Sequence, residues 1–418
     1  MSENHSLNKE IQVLLIAYYF PPSNSTASDR TYYWLKFLQK SFANITVICK
    51  DWGSIENLPE KTAVSQISID DKAFKKFGIK PGIKKIYKQF SPIIEPLWLL
   101  QGEDELMKAA DQFISTHENV VLITSSSPYS LFKIGYLLKD RHPKLSWIAD
   151  YRDEWSSREL VNFKIPVVST LLIKWTEYLE KKWVSRATCF TTVSDVLAHR
   201  IAEVHSNKIP GYVIENGYDR LRERQSPSDH SQIQFAYTGN VYKVQNFEKN
   251  LSEINKVARN YPQIRTIVSF VGGSFSAQRK RKMNQLAEHI DLRFIDHMLR
   301  KDLDAFNQDV DVFMMAAYGD IKGYQSSKIY YYISMKKPVF LCPSDDDVME
   351  EILTDSGIKL NDLRAIYEAK VESKTFISNI ASEELLHKYS REAGTEKLKK
   401  IINNITKSAD KMHITQSK

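Results

Sequence analysis

Cysteine, glycine and long apolar runs are all scarce in this chain, and each scarcity excludes something. The three cysteines, Cys49, Cys189 and Cys342, lie far apart and never form a CxxC pair. Neither a disulfide framework nor a thiolate zinc site is expected, and a reducing compartment is. No stretch approaches the roughly 20 apolar residues that span a bilayer. The polar start MSENHSLNKE lacks a basic leader, and the apolar run 11–20 stops at Pro21 and Pro22. That pattern reads as a buried first strand, not an export signal. The sequons at Asn24, Asn44, Asn250 and Asn404 are then chance occurrences. Excess charge is also small: 58 Lys+Arg against 51 Asp+Glu leave +7 over 418 residues, too mild to imply nucleic acid. The 14 glycines are about half the usual share. Each one therefore marks a place where the backbone needs freedom.

What is present is the balance of a folded protein, 42% hydrophobic and 26% charged. The length suggests two domains. Short apolar runs alternate with longer amphipathic stretches, the βαβ pattern of a parallel sheet. In the first half, strands are expected at 13–20, 45–49, 120–127, 145–150, 189–194 and 212–216. Helices are expected at 29–40, 104–116, 129–141 and 166–186. A polar, turn-rich segment (217–231) then carries Arg220, Arg222, Arg224 and Pro227 and sets a linker at 221–232. The pattern restarts with strands at 233–239, 266–273, 292–297, 310–317 and 338–343, and helices at 246–260, 276–289, 300–307 and 326–336. After Gly357 the chain reads as mostly helical. The expected division is 1–220, 221–232, 233–385 and a C-terminal helix and tail at 386–418 that packs back on the first domain. Ligands of such sheets bind outside the carboxyl ends of the strands, so two facing sheets would share a cleft.

The residues just after the strands are therefore the candidates. In the first half they include Ser23, Ser127, Ser194-Asp195, Asn216-Gly217 and the run Asp150-Tyr151-Arg152-Asp153, followed by Trp155. Two acids and an arginine at a strand end cost desolvation unless they pair or meet a ligand. In the second half they are Gly239-Asn240, Gly272-Gly273, His297-Met298, Tyr318-Gly319 and Ser344. Gly272-Gly273 reads equally as a strand-to-helix turn. Ser344 with Asp345, Asp346 and Asp347 reads as a helix cap and acidic first turn, and no metal site is expected.

YYFPPSNSTASDR, SSSPYS, WIADYRDEW, TVSDVLAHRI, VIENGYD, YTGNVY and SSKIYYYISMKKPVF follow one another in order. Together they resemble bacterial glycosyltransferases of family 4, over roughly residues 13–357. The resemblance implies an α/β GT-B architecture, two Rossmann-like parallel-sheet domains facing across a cleft. It implies a metal-independent, retaining transfer from a nucleotide-sugar, UDP- or GDP-linked, with no cofactor. The first domain would hold the acceptor and the second the donor. Gly239, with Asn240, matches the family's glycine turn beside the donor diphosphate. Lys243 and Lys249 would represent the basic residues that follow that turn in the family, though neither aligns cleanly, and Lys243 reads equally as an ordinary surface lysine. Ser326, Ser327 and Lys328 match the start of the helix whose amides hold the diphosphate, where orphan N–H groups and the dipole suit an anion. His297 and Met298 occupy the loop that touches the base, with Gly272 at the neighbouring turn; His297 reads also as a structural histidine. Asp150 and Asp153, with Arg152, match the acid-bearing strand end where the acceptor hydroxyl is expected, with Ser23, Ser127 and Trp155 as acceptor-side residues.

Two departures stand out. The family's paired glutamates, eight positions apart, fall here on Gly323 and Tyr331, and a tyrosine offers one weaker contact to a ribose. The glycine-rich loop after the first strand is replaced by residues 24–28, NSTAS.

Between residues 72 and 96, seven lysines alternate with bulky apolar residues, with no acid until Glu95. That composition suits an anionic lipid surface or a solvated helix pair broken at Pro81-Gly82. The expected setting is cytoplasmic, peripheral on the inner face of the cell membrane, in surface polysaccharide or glycolipid assembly. The expected partners are a nucleotide-sugar and a lipid-linked or oligosaccharide acceptor. Two alternatives stay open: a nucleotide-sugar epimerase of the same fold, and a catalytically weak scaffold that binds a partner glycosyltransferase or a membrane.

Overall fold

The computed structural model describes residues 11–23, 26–55, 58, 62–68, 103–156, 166–223, 229–374 and 380–416. The lysine-rich stretch 72–96 lies outside them. The chain forms two units, residues 1–216 with 391–418, and residues 217–390. The first boundary falls before the expected linker at 221–232, and the second at Ser390/Arg391, where the sequence suggested 385/386.

In the first unit seven strands are described: β1 (Gln12–Ala17), β2 (Asn44–Lys50), β3 (Thr62–Ile67), β4 (Val120–Ser125), β5 (Ser146–Asp150), β6 (Cys189–Thr192) and β7 (Gly211–Val213). They pair in parallel in the order β3-β2-β1-β4-β5-β6-β7. The helices are α1 (Thr26–Leu38), α2 (Glu103–Thr116), α3 (Ser130–Arg141), α4 (Pro166–Val184) and α5 (Asp195–Val204). A parallel sheet covered on both faces needs apolar residues on both sides of each strand. On β1, Leu14 and Ile16 join one core with residues of α2, α3, α4 and α5, while Val13, Leu15 and Ala17 join the opposite core under α1. Period-two alternation divides them.

The second unit holds β8 (Gln232–Thr238), β9 (Arg265–Val271), β10 (Asp291–Ile295), β11 (Val312–Met315) and β12 (Val339–Leu341), parallel in the order β10-β9-β8-β11-β12. Its described helices are α6 (Phe247–Ala258), α7 (Ala277–Gln285), α8 (Arg300–Gln308), α9 (Lys328–Met335), α10 (Val348–Asp355), α11 (Leu363–Val371) and α12 (Glu383–His387). A last helix, α13 (Arg391–Gln416), belongs to the first unit. Leu398, Ile401, Ile402 and Ile405 pack into the α1 core, and Lys397 pairs with Glu215 at 2.6 Å.

Each sheet reverses its strand order once, between β1 and β4 and between β8 and β11. Those reversals open a crevice at the carboxyl ends of the strands. Two elements were missed in the sequence. TAVSQI carries too little apolar weight to read as a strand, yet β3 adds at the sheet edge. Ser194 is an N-cap whose side chain accepts from Leu197 N at 3.3 Å, so the run after β6 is helix α5. No described helix is long and apolar enough to cross a membrane.

Candidate functional site

In the second unit, the reversal between β8 and β11 brings the end of β8 beside the start of α9. Gly239 closes β8 with φ of +97°, and a Cβ placed there would stand 2.7 Å from Lys328 Cε. That φ favours glycine, and any Cβ would have to displace the flexible end of Lys328. Gly272, at φ +75°, ends β9, and its Cβ would lie 3.7 Å from both Gly239 Cα and His297 Cδ2. Gly239, Gly272, His297 and Lys328, drawn from four strand ends or their loops, thus share one edge.

Lys328 is the first residue of α9. Its Nζ lies over the Tyr237 ring, 5.3 Å from the centroid. Burial alone pushes its pKa down to about 8, with no charged neighbour contributing. A half-buried ammonium at a helix start, where the first N–H groups lack intrahelical partners, favours an anion. Ser326 is buried and its Oγ accepts from Lys328 N at 3.4 Å, whereas Ser327 is exposed. His297, Asn240 and Lys243 are exposed and Met298 is half-buried. Asn240 contributes its carbonyl to Tyr237 Oη at 2.8 Å.

Tyr331 is engaged elsewhere. Its hydroxyl donates to Asp304 at 2.8 Å and accepts from Asn307 Nδ2 at 3.0 Å, and the Arg222 guanidinium lies 5.0 Å from its ring centroid. Burial above all pushes its pKa up to about 12. The neighbouring Tyr332 is the one that reaches β8: its ring stacks on Phe313 at 4.1 Å, and its hydroxyl accepts from Thr238 N at 3.4 Å. The available signal was spacing, since Tyr332 is four residues from Lys328 and shares its helix face. Tyr242 is a second residue missed in the sequence, 44% exposed with its ring 5.5 Å from that of Tyr318.

In the first unit the candidates separate. Asp150 is fully buried, and its carboxylate accepts from Arg30 Nη2 at 3.0 Å and Nε at 3.3 Å, Ser125 Oγ at 2.7 Å and Thr191 Oγ1 at 2.8 Å. Arg30 also donates to the Ile214 carbonyl at 2.9 Å. Four donors fill the oxygens of Asp150, which makes it an anchor tying α1 to β4, β5 and β6, not a group open to an acceptor. Trp155 likewise belongs to the core, 3% exposed, stacked on Tyr129 at 4.9 Å and near Trp183 at 5.5 Å. The acceptor-side expectation for it is corrected: at that position the aromatic ring fills the space beneath α4. Arg152, Asp153, Ser127 and Ser23 are half-buried along the same strand-end edge. The Asp153 carbonyl accepts from Tyr129 Oη at 3.3 Å.

A buried polar cluster lies next to these residues. Tyr151 Oη is 3.1 Å from His205 Nε2, which is 3.9 Å from Glu180 Oε1, and Glu180 Oε2 accepts from Ser156 N at 2.8 Å. Burial, aided by nearby Lys181, lowers the His205 pKa to about 4, and burial raises that of Glu180.

No family model and no curated protein matches the sequence. Solved structures do. The N-terminal domain of Candida albicans trehalose-6-phosphate phosphatase is similar with a TM-score of 0.57 at 10% identity, over 96% of this chain and 98% of that one. Anabaena HepE, in complex with UDP and glucose, gives 0.56 at 11% over 94% and 99%. A glycosyltransferase from Rickettsia africae gives 0.53 at 13% over 95% and 99%. At these identities the likeness establishes the fold, two parallel-sheet α/β domains of the GT-B type.

Proposed function

We propose that this chain is a glycosyltransferase that moves a sugar from a UDP- or GDP-linked donor to a lipid-linked or polysaccharide acceptor, with retention of configuration. The observation that carries the reading is the convergence of Gly239 and Lys328 at the start of α9, at the strand-order reversal of the second sheet. A diphosphate there would meet an ammonium, the positive end of the α9 dipole and a backbone with no Cβ in the way. HepE, of similar fold, was solved with UDP and glucose, which supports a nucleotide-sugar donor.

Within this reading Lys328, Ser326 and Ser327 hold the diphosphate, Gly239 and Gly272 allow its approach, and His297 and Met298 border the base. The bond from the anomeric carbon to the phosphate oxygen breaks, and a bond from that carbon to the acceptor hydroxyl oxygen forms. The hydroxyl proton passes to the departing phosphate or to Asp153, the nearest carboxylate to the strand end that is not consumed in the Arg30 network. Asp150 keeps the edge in shape. The setting we favour is cell-surface polysaccharide or glycolipid assembly, on the cytoplasmic side of a membrane.

One observation favours a second reading. The Tyr331 hydroxyl, at the position of the family's second glutamate, is committed to Asp304 and Asn307. A scaffold that binds nucleotide without turning it over would tolerate that. Thermal stabilisation with UDP, GDP and their glucose, N-acetylglucosamine and mannose conjugates tests both, because a ligand of the native state raises its melting point. The glycosyltransferase reading expects one nucleotide-sugar to stabilise the wild type and not Lys328→Ala, with turnover once an acceptor is added. Stabilisation by none of them sinks both readings.

A further inference from the structure

Among the described residues, α4 carries three of the nine large apolar side chains left in solvent. On α4, Leu171 is 64% exposed, Tyr178 59% and Ile173 43%. Leu171, Lys174, Tyr178, Lys181 and Lys182 recur at helical spacing and share the outward face, while Thr176, Glu180, Trp183 and Val184 are buried. On a helix of a water-facing surface, bulky apolar residues mostly keep to the inner stripe. This one has them on both sides, with lysines between the outer ones.

We propose that the outward face of α4 rests on an anionic lipid bilayer. Leu171 and Tyr178 would sink to the boundary of headgroups and acyl chains, and the lysines would meet the headgroup phosphates, the arrangement of an interfacial helix. Charge argues for lipid over a second protein copy, because the cores of protein interfaces are depleted in lysine and this face carries Lys174 and Lys182, besides Lys181, which pairs with Glu177. Topology says why the contact would serve catalysis. The helix is the crossover from β5 to β6, so its first turns, with Leu171, lie at the carboxyl edge of the first sheet. That is the edge of Asp153. A lipid-linked acceptor held by a bilayer would be presented there; this part rests on the function proposed above.

The test is co-sedimentation of the full-length protein with vesicles of phosphatidylcholine plus phosphatidylglycerol, against phosphatidylcholine alone. The wild type should bind the anionic vesicles, and less so in high salt. Leu171→Ser with Tyr178→Ser, and separately Lys174→Glu with Lys182→Glu, should each weaken that binding about tenfold or more, with the melting temperature unchanged. Leu299→Ser, at an equally exposed position in the other unit, should bind as the wild type does. Anionic-vesicle binding equal to wild type in both double variants overturns the proposal, as does the absence of binding by the wild type. So does a lipid-independent dimer, seen by sedimentation, that the Leu171→Ser and Tyr178→Ser changes dissolve. Nucleotide-sugar affinity is measured alongside: vesicle binding through α4 without any such affinity sinks the donor reading alone, and affinity without vesicle binding sinks only this surface.

Discussion

Lys328 lies against the Gly239 turn so closely that a methyl group on the glycine would stand 2.7 Å from the lysine Cε and 3.4 Å from its Nζ. The two are 89 positions apart in the chain, which is 328 minus 239. They meet because β8 and β11 are neighbours in the sheet, so the turn after one borders the helix reached from the other.

Gly239→Ala should therefore act twice. A residue with a Cβ at φ +97° is strained by about 1–3 kcal/mol, and the methyl must push the flexible end of Lys328 aside. The expected result is a lower melting temperature together with a loss of donor affinity of about tenfold or more by calorimetry. A folded Gly239→Ala protein with wild-type affinity would separate the lysine from the anion.

The lowered pKa of Lys328 sets a pH dependence. With a value of about 8, the ammonium is intact at pH 7 and is lost progressively above pH 8. Affinity for the best nucleotide-sugar should be flat from pH 6.5 to 7.5 and fall about tenfold per unit above 8, until Lys328 loses its proton in the complex as well. Lys328→Met should lose about 1.5–3 kcal/mol of binding and show no such fall. A wild-type curve that stays flat to pH 9.5 would place the diphosphate away from this residue.

The fold was legible because both sheets are parallel and buried, so their strands stand out as short apolar runs between amphipathic stretches. Gly239, Gly272 and His297 were legible for the same reason: strand ends are easy to find, and glycine is rare enough here to mark the turns; Lys328 was marked by the family resemblance alone. Exposure was not legible. Asp150 and Trp155 follow the same strand as Asp153, but Arg30, 120 positions earlier, turns the first into a buried ion pair, and Tyr129 and Trp183 enclose the second. Long-range partners leave no local pattern. Tyr331 and Tyr332 are adjacent tyrosines that differ only in helix face, and a motif position does not say that Tyr332 is the one whose hydroxyl meets β8.

The buried histidine predicts a stability profile. His205 drops from 6.5 to about 4 on folding, so the unfolded chain takes up its proton first. Its contribution is complete above about pH 6.5 and is lost as pH falls through 4, by roughly 3 kcal/mol in all. Glu180, raised by burial, has the opposite slope, so the wild-type curve alone mixes the two. His205→Gln removes only the histidine's share. Urea unfolding at pH 7.5 and pH 4.5 should show a larger drop for the wild type than for the variant. Equal drops would mean that His205 is protonated alike in both states.

Two neighbouring carboxylates should respond in opposite ways to the same chemical change. Asp150→Asn keeps the shape but leaves Arg30, 6% exposed, charged and without its ion-pair partner. Breaking a buried pair from one side costs about 3–5 kcal/mol, a drop in melting temperature on the order of 10 °C for a unit of this size. Asp153→Asn removes a half-buried charge three residues on, outside that network, and should leave the melting temperature and the donor affinity nearly unchanged. Its effect should appear in turnover, reduced at least about tenfold, since a carboxylate that orients a hydroxyl and takes up its proton contributes about 10²–10⁴-fold. The lower end applies if the departing phosphate accepts the proton. Arg152 stands between the two and is half-buried, so the melting temperature of Asp153→Asn has to be measured before its rate is interpreted. A folded Asp153→Asn protein with full turnover would remove this residue from the chemistry. An Asp150→Asn protein as stable as the wild type would contradict the anchoring role argued from its four hydrogen bonds.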